Sequence, residues 1–251
     1  MAEKFTYQQY VSDADFLQKY NDYQNRYAEK VRESDKVIVS LVNDVIVANG
    51  LKKPVLLDIG CSTGNLLMHL RNSLPAVDYV GGDLAESSLE QCKSNAKLDG
   101  IDFQILDIVD LPAAAYDIVI VNAVLYMFDE KQYQKAVKSI FKSLRPNGVA
   151  IIYDFAHPFE HQDLEIFETS VLHPDGLRLC FRPMKKVSET IVSAGFSKVD
   201  FLPFELPIDL PRPPYDEEVV TYTVDASNDH RMMFRGVLYQ PWCHMVARKA
   251  G

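Results

Sequence analysis

The stretch from Val55 to Gly64 reads VLLDIGCSTG, and its residue types are those of a loop that brings backbone close to a ligand. An apolar run leads into it, Gly60 and Gly64 put no side chain in the way, and Asp58 stands two residues before the first glycine. A dinucleotide cradle needs glycine at positions 60, 62 and 65; here Ser62 and Asn65 occupy two of the three. The Gly-Lys-Ser/Thr ending of a triphosphate loop is missing as well. An acid ahead of the glycines suits a ligand carrying positive charge better than a phosphate. Further along, Asp83, Asp107, Asn122 and Asp154 each end an apolar run. His157, three residues past Asp154, has the pKa range of a general base, or serves only in packing. Tyr126, within Val124–Phe128 (VLYMF), either faces a ligand or covers a helix. Cys61, Cys92, Cys180 and Cys243 form no CxxC pair and no Cys/His cluster, so no metal site is expected.

Elements that alternate in type must position these residues. Val55–Leu57, Tyr79–Gly82, Phe103–Leu106, Asp117–Val121 and Val149–Tyr153 read as strands, and helical periodicity lies between them, at about 66–74, 86–98 and 131–144. A helix from about Ser34 to Ala48, stopped by Asn49-Gly50, precedes the first strand. Repeated strand–loop–helix units predict a parallel sheet with helices on both faces. Regularity lapses for some thirty residues after Asp154; a helix at about 184–194, a strand at 198–204, a proline-rich connection and a hairpin around residues 227–229 follow, and the last strand spans about 242–247. Ahead of all this, Phe16, Tyr20, Tyr23 and Tyr27 fall on one face of a helix.

The balance of the 251 residues, 47% hydrophobic and 24% charged, is that of a folded domain and excludes global disorder. No apolar stretch reaches the length of a membrane span, and the first residues lack the pattern of a secretory signal, which makes the cytoplasm the expected location. A net charge of −9 disfavours nucleic acid as a partner, since such binding runs on phosphate neutralisation.

The ordered motifs resemble those of the class I S-adenosylmethionine-dependent methyltransferases. Asp58, Gly60, Cys61 and Gly64 correspond to the first motif, and Asp83-Leu84, 19 residues past Gly64, to the acidic residue that holds the ribose hydroxyls. Asp107-Ile108 resembles the pair at the adenine, and Asn122 the position at the methionine end. The segment SLRPNGVAIIYDF resembles the stretch that opens the fifth strand, with Asn147 in place of a glycine. The resemblance implies a Rossmann-like, seven-stranded, mostly parallel sheet of α/β class. It also implies S-adenosylmethionine as cofactor, S-adenosylhomocysteine as product, and methyl transfer to a small-molecule acceptor by in-line attack on the sulfonium. The core is also similar to carboxy-S-adenosylmethionine synthase, which modifies the cofactor instead.

On this reading residues 1–35 are a helical cap and 36–251 the methyltransferase domain, with inserts at about 155–183 and 207–236 that shape the acceptor pocket. Tyr27 and Arg32 are expected to reach the cofactor, Arg32 through its carboxylate, unless the N-terminal helix packs elsewhere. Arg178, Arg182, Lys185 and Lys186 form a run without an acid, read either as a solvated face or as a site for an anionic acceptor. His157 and Tyr126 are the catalytic candidates, and either a monomer or a homodimer is compatible. A tRNA or protein methyltransferase and a cofactor-binding protein without transfer are the rival readings.

Overall fold

The computed structural model describes residues 7, 11, 14–25, 30–158, 163–168, 176–211, 221–225, 230–236 and 238–251. Helix α1 (Ala14–Asn25) is followed by α2 (Glu33–Asn49), which stops where Gly50 turns left-handed at φ 60° and donates its N–H back to Ile46 and Val47. Then come β1 (Val55–Ile59), α3 (Asn65–Ser73), β2 (Asp78–Asp83), α4 (Glu86–Ser94), β3 (Asp102–Ile105), β4 (Tyr116–Asn122), α5 (Glu130–Ser143) and β5 (Leu144–His157). The remainder is β6 (Leu164–Glu168), β7 (Leu177–Pro183), α6 (Met184–Ser193), β8 (Lys198–Pro203), β9 (Thr221–Asp225), β10 (Arg231–Arg235), β11 (Leu238–Tyr239) and β12 (Trp242–Arg248).

The seven-strand path runs β3-β2-β1-β4-β5-β12-β8. Its first five strands are parallel, and β12 runs antiparallel between β5 and β8. This is the Rossmann-like α/β architecture the alternation predicts. Period-two alternation divides the strands between two cores. Leu57, Val119, Val121 and Ile152 pack with Val137, Ile140 and Ile191 on one face. Leu56, Ile118, Ile120 and Ile151 pack with Ile38, Val42, Leu67 and Leu89 on the other. The order reverses between β1 and β4, so the crevice at their carboxyl ends is the place for a ligand.

Three local readings differ. The helix expected to reach residue 98 ends at Ser94, because the Asn95 side chain accepts the N–H of Lys97 and sets a separate 3-10 turn. Asn147 takes φ 63°, a conformation asparagine tolerates better than most residues, so β5 runs from Leu144 through it rather than starting at Val149. The stretch read as irregular after Asp154 holds the antiparallel β6–β7 pair, and β5 itself continues to His157 alongside β7. A separate β9–β10–β11 sheet lies further along. Arg235 on β10 grips Glu168 on β6 in a fork at 2.7 to 3.0 Å, tying the two together.

Candidate functional site

A cleft of about 790 Å³, counted out to its open mouth, lies at the carboxyl ends of β1, β2 and β4. Its base is the loop after β1. Gly60 sits at φ 80°, and a Cβ there would stand 2.5 Å from Val124 Cγ2, so no larger residue fits. The N–H groups of Gly60 and Cys61 both donate to the Gly82 carbonyl, at 2.7 and 3.1 Å, locking the loop to the end of β2. Two non-glycine residues at the cleft have left-handed backbones, Ser62 at φ 48° and Ala123 at φ 57°. Strain of this kind concentrates at functional sites.

Asp83 reaches the cleft with one oxygen accepting the Ser62 N–H and the other the Ala85 N–H, both at 2.9 Å. A carboxylate has about four acceptor positions, so roughly two remain for a ligand. Burial pushes its pKa up, against the pull of those N–H groups. Leu84, Leu106, Ile108 and Ile59 add an apolar slot beside it, and Asn122 lies at the end of β4. Beneath the loop, Asp58 is buried, its Oδ1 without a hydrogen-bond partner among the described residues. Burial, with the charges of Asp35 and Asp83 nearby, lifts its pKa to about 8. Such a group is held at a cost that a nearby cation would relieve.

The N-terminal segment supplies the cover. Tyr7, Val11, Leu17 and Tyr20 line the cleft. The Tyr7 hydroxyl donates to the Asp107 carboxylate at 3.1 and 3.2 Å, its ring stacks on Phe128 at 4.5 Å, and burial beside Asp107 raises its pKa to about 12. Asn21 donates to Ser88 Oγ at 3.1 Å, and Asn65 to the Gln24 carbonyl at 2.9 Å. Between β4 and α5, Val124, Tyr126, Met127 and Phe128 form the opposite wall.

Of the residues singled out in the sequence, Gly60, Asp83, Leu84, Ile108, Asn122 and Tyr126 line this cleft together. Asp58, Cys61 and Gly64 lie behind it, and Asp107 bonds the covering Tyr7. Arg32 is not a lining residue; it donates to Gln24 Oε1 at 2.5 Å, and its charge acts on the buried Asp35. Tyr27 lies outside the described residues, as do the side chains of Phe16 and Tyr23. His157 is not brought to the cleft: β5 runs on past Asp154 and carries it, buried, into pairing opposite Pro183. The basic run does not line the cleft either. Arg178 faces Asp129 and Glu165, Lys186 pairs with Glu130 and Asp163, and Arg182 is buried on backbone carbonyls. Tyr7, Ser62, Ser88, Met127 and Phe128 are additional lining residues. Ser62 lies inside the loop motif and Met127–Phe128 inside the VLYMF segment, whereas Tyr7 meets Asp107 across a hundred residues with no local signal.

Among the described residues no group of three or more His, Cys, Asp or Glu could hold a metal ion. No helix there is long and apolar enough to cross a membrane.

The fold is the Rossmann-like fold seen in S-adenosylmethionine-dependent methyltransferases. Residues 56–148 match the family model described as a methyltransferase domain. The chain is similar to a carboxy-S-adenosyl-L-methionine synthase of Nitratiruptor sp., 31% identical over 116 residues, 45% of this chain and 48% of that protein. It is similar as well to the synthase of Campylobacter hominis, 28% identical over 167 residues, 64% and 69% of the two chains. The match to the Nitratiruptor protein thus spans about half its length. Among solved structures, human N-acetylserotonin methyltransferase in complex with SAM superposes with a TM-score of 0.62 at 15% identity, covering 96% of this chain and 58% of that one. The 1,6-didemethyltoxoflavin-N1-methyltransferase of Burkholderia thailandensis gives 0.56 at 17%, covering 96% and 88%. Both likenesses are of fold.

Proposed function

We propose that this chain is an S-adenosylmethionine-dependent methyltransferase whose small-molecule acceptor enters beside Tyr126. One observation carries the reading: a single cleft joins the Gly60 loop, the free acceptor positions of Asp83, the Leu84–Ile108 slot and Asn122. These fit the cofactor part by part: Asp83 for vicinal hydroxyls, the apolar slot for a flat ring, and the acids at 35, 58 and 83 for positive charge. When bound, the cofactor supplies a methyl group already activated on a sulfonium. The chain's task is then to align the acceptor and exclude water, and Tyr7, Val11, Leu17 and Tyr20 cover the cleft for that purpose.

The lining contains no histidine among the described residues, and burial holds the Tyr126 phenol far above its ordinary pKa. At neutral pH Tyr126 therefore donates a hydrogen bond and orients the acceptor rather than taking its proton. The acceptor this suits has an attacking atom with a free lone pair, or one that loses its proton to water. Tyr20, Tyr126, Met127 and Phe128 favour a flat apolar body over an anionic one.

Likeness to the carboxy-S-adenosyl-L-methionine synthases supports a second reading, in which the cofactor itself is modified. Incubating the protein with S-adenosylmethionine and a metabolite panel, followed by mass spectrometry, separates the two. Formation of S-adenosylhomocysteine with a methylated metabolite is expected. A carboxylated cofactor would replace this reading with the second, and binding without turnover would leave only a cofactor-binding protein.

A further inference from the structure

Five lining residues, Ala123, Val124, Tyr126, Met127 and Phe128, come from the one connection between β4 and α5. In that connection Ala123 is left-handed, and the 3-10 turn Leu125–Met127 has no side-chain cap from Val124. It is gripped from behind. Arg182, on β7, donates through Nη1 to the Leu125 carbonyl at 3.4 Å and through Nη2 to the Phe128 carbonyl. Cys180 Sγ adds a weak bond to the Phe128 carbonyl at 3.3 Å. Arg182 is 4% exposed, and its guanidinium lies 4.2 Å from the centre of the Tyr133 ring.

Across the turn stands Asp154 on β5, 3% exposed, accepting the Phe155 N–H at 2.7 Å. Burial pushes its pKa up to about 7, against the pull of the Phe155 N–H, the Arg182 charge and the amides of Tyr126 and Leu125. A cation thus holds the carbonyls of the turn and a buried carboxyl faces its amides. Burying an arginine costs several kcal/mol, and an apolar residue of like volume would cover Tyr133 more cheaply. What that residue lacks is a planar fork that reaches two carbonyls three residues apart; a lysine point charge lacks it too.

We propose that Arg182, with Asp154 opposite it, is the positioning residue of the acceptor wall: it sets the Leu125–Phe128 turn so that Tyr126 and Met127 enter the cleft. The proposal rests on the methyltransferase reading only in calling that wall the acceptor side. The chain's single tryptophan, Trp242, meets the Tyr126 ring edge-on at 6.0 Å, so its fluorescence reports on the turn. The test compares wild type with Arg182→Lys and Arg182→Met in acrylamide quenching of Trp242 and in calorimetric titration with S-adenosylhomocysteine. Both variants, folded by circular dichroism, should show at least about twofold greater quenching and about tenfold weaker binding, the scale that small misplacements reach. Wild-type quenching and affinity in folded Arg182→Lys would overturn the proposal. If neither variant folds, hydrogen exchange on the wild-type protein decides. Slow exchange at the amides of 125–128 supports the grip, and exchange at the rate of an open loop refutes it. Failure of the wild type to bind S-adenosylhomocysteine would sink the methyltransferase reading and leave the quenching result standing.

Discussion

Two positions at the base of the cleft, Asp83 and Gly60, are each tightly constrained. Asp83 spends one acceptor position of each oxygen on backbone N–H groups and keeps the rest toward the cleft. Asp83→Ala should weaken S-adenosylmethionine binding by about 1.5 to 3 kcal/mol, the worth of hydrogen bonds to a charged group. Unchanged affinity by calorimetry would remove Asp83 from the site. Gly60 is limited twice over, by its φ of 80° and by Val124 Cγ2 at 2.5 Å from any added Cβ. Gly60→Ala should therefore cost about 1–3 kcal/mol of stability and abolish measurable binding, with urea unfolding and titration as the checks. His157, buried at the end of β5 where it pairs with β7, lies apart from both. Its replacement by alanine is expected to leave cofactor affinity as it is.

At the scale of elements, α1 lies at the cleft rather than in the sheet, with Leu17 and Tyr20 in the lining. Among the described residues the ties of this N-terminal segment to the core include Tyr7 to Asp107 and Phe128, Asn21 to Ser88, and Gln24 to Asn65 and Arg32. The two cores of the sheet draw on α2 through α6 and, among the described residues, take Tyr7 from this segment. Deleting residues 1–30 should leave the far-ultraviolet circular dichroism of the core intact and weaken cofactor binding about tenfold or more, roughly 1.4 kcal/mol. A folded truncation that binds at full strength would show the cover to be irrelevant to the ligand.

Over the whole molecule, four buried carboxyls, Asp35, Asp58, Asp83 and Asp154, are pushed up in pKa by burial, Asp58 to about 8 and Asp154 to about 7. An acid raised in the folded state keeps its proton while the unfolded chain has lost it, so stability declines as pH climbs toward the folded value. His69 and His244 are lowered by burial, His244 to about 4, and oppose this trend only up to the ordinary histidine range near 6.5. Between pH 6.5 and 8 the carboxyls act alone, and Asp58 by itself should remove on the order of 1–2 kcal/mol. Scanning calorimetry without ligand should record a falling Tm across that window and a flatter one in Asp58→Asn. Equal slopes would refute the assignment.

The order of strands and helices as far as Asp154, the two-sided burial of the sheet and the Gly60 loop were all legible in the sequence, because each rests on local periodicity or on a residue whose backbone freedom is itself the signal. Asp83, Leu84, Ile108, Asn122 and Tyr126 were legible too, since they end consecutive strands or follow them closely, and a parallel sheet brings such ends to one edge. What tertiary structure alone decided has no local period. Tyr7 reaches Asp107 from a hundred residues away, and Arg182 turns from a surface charge run into the back of the cleft wall because β7 joins β5. His157 leaves the site because β5 runs four residues further than its apolar pattern. Each of these outcomes is set by which chains pair at long range, where burial and hydrogen-bond satisfaction between distant segments override what any short window of residues prefers.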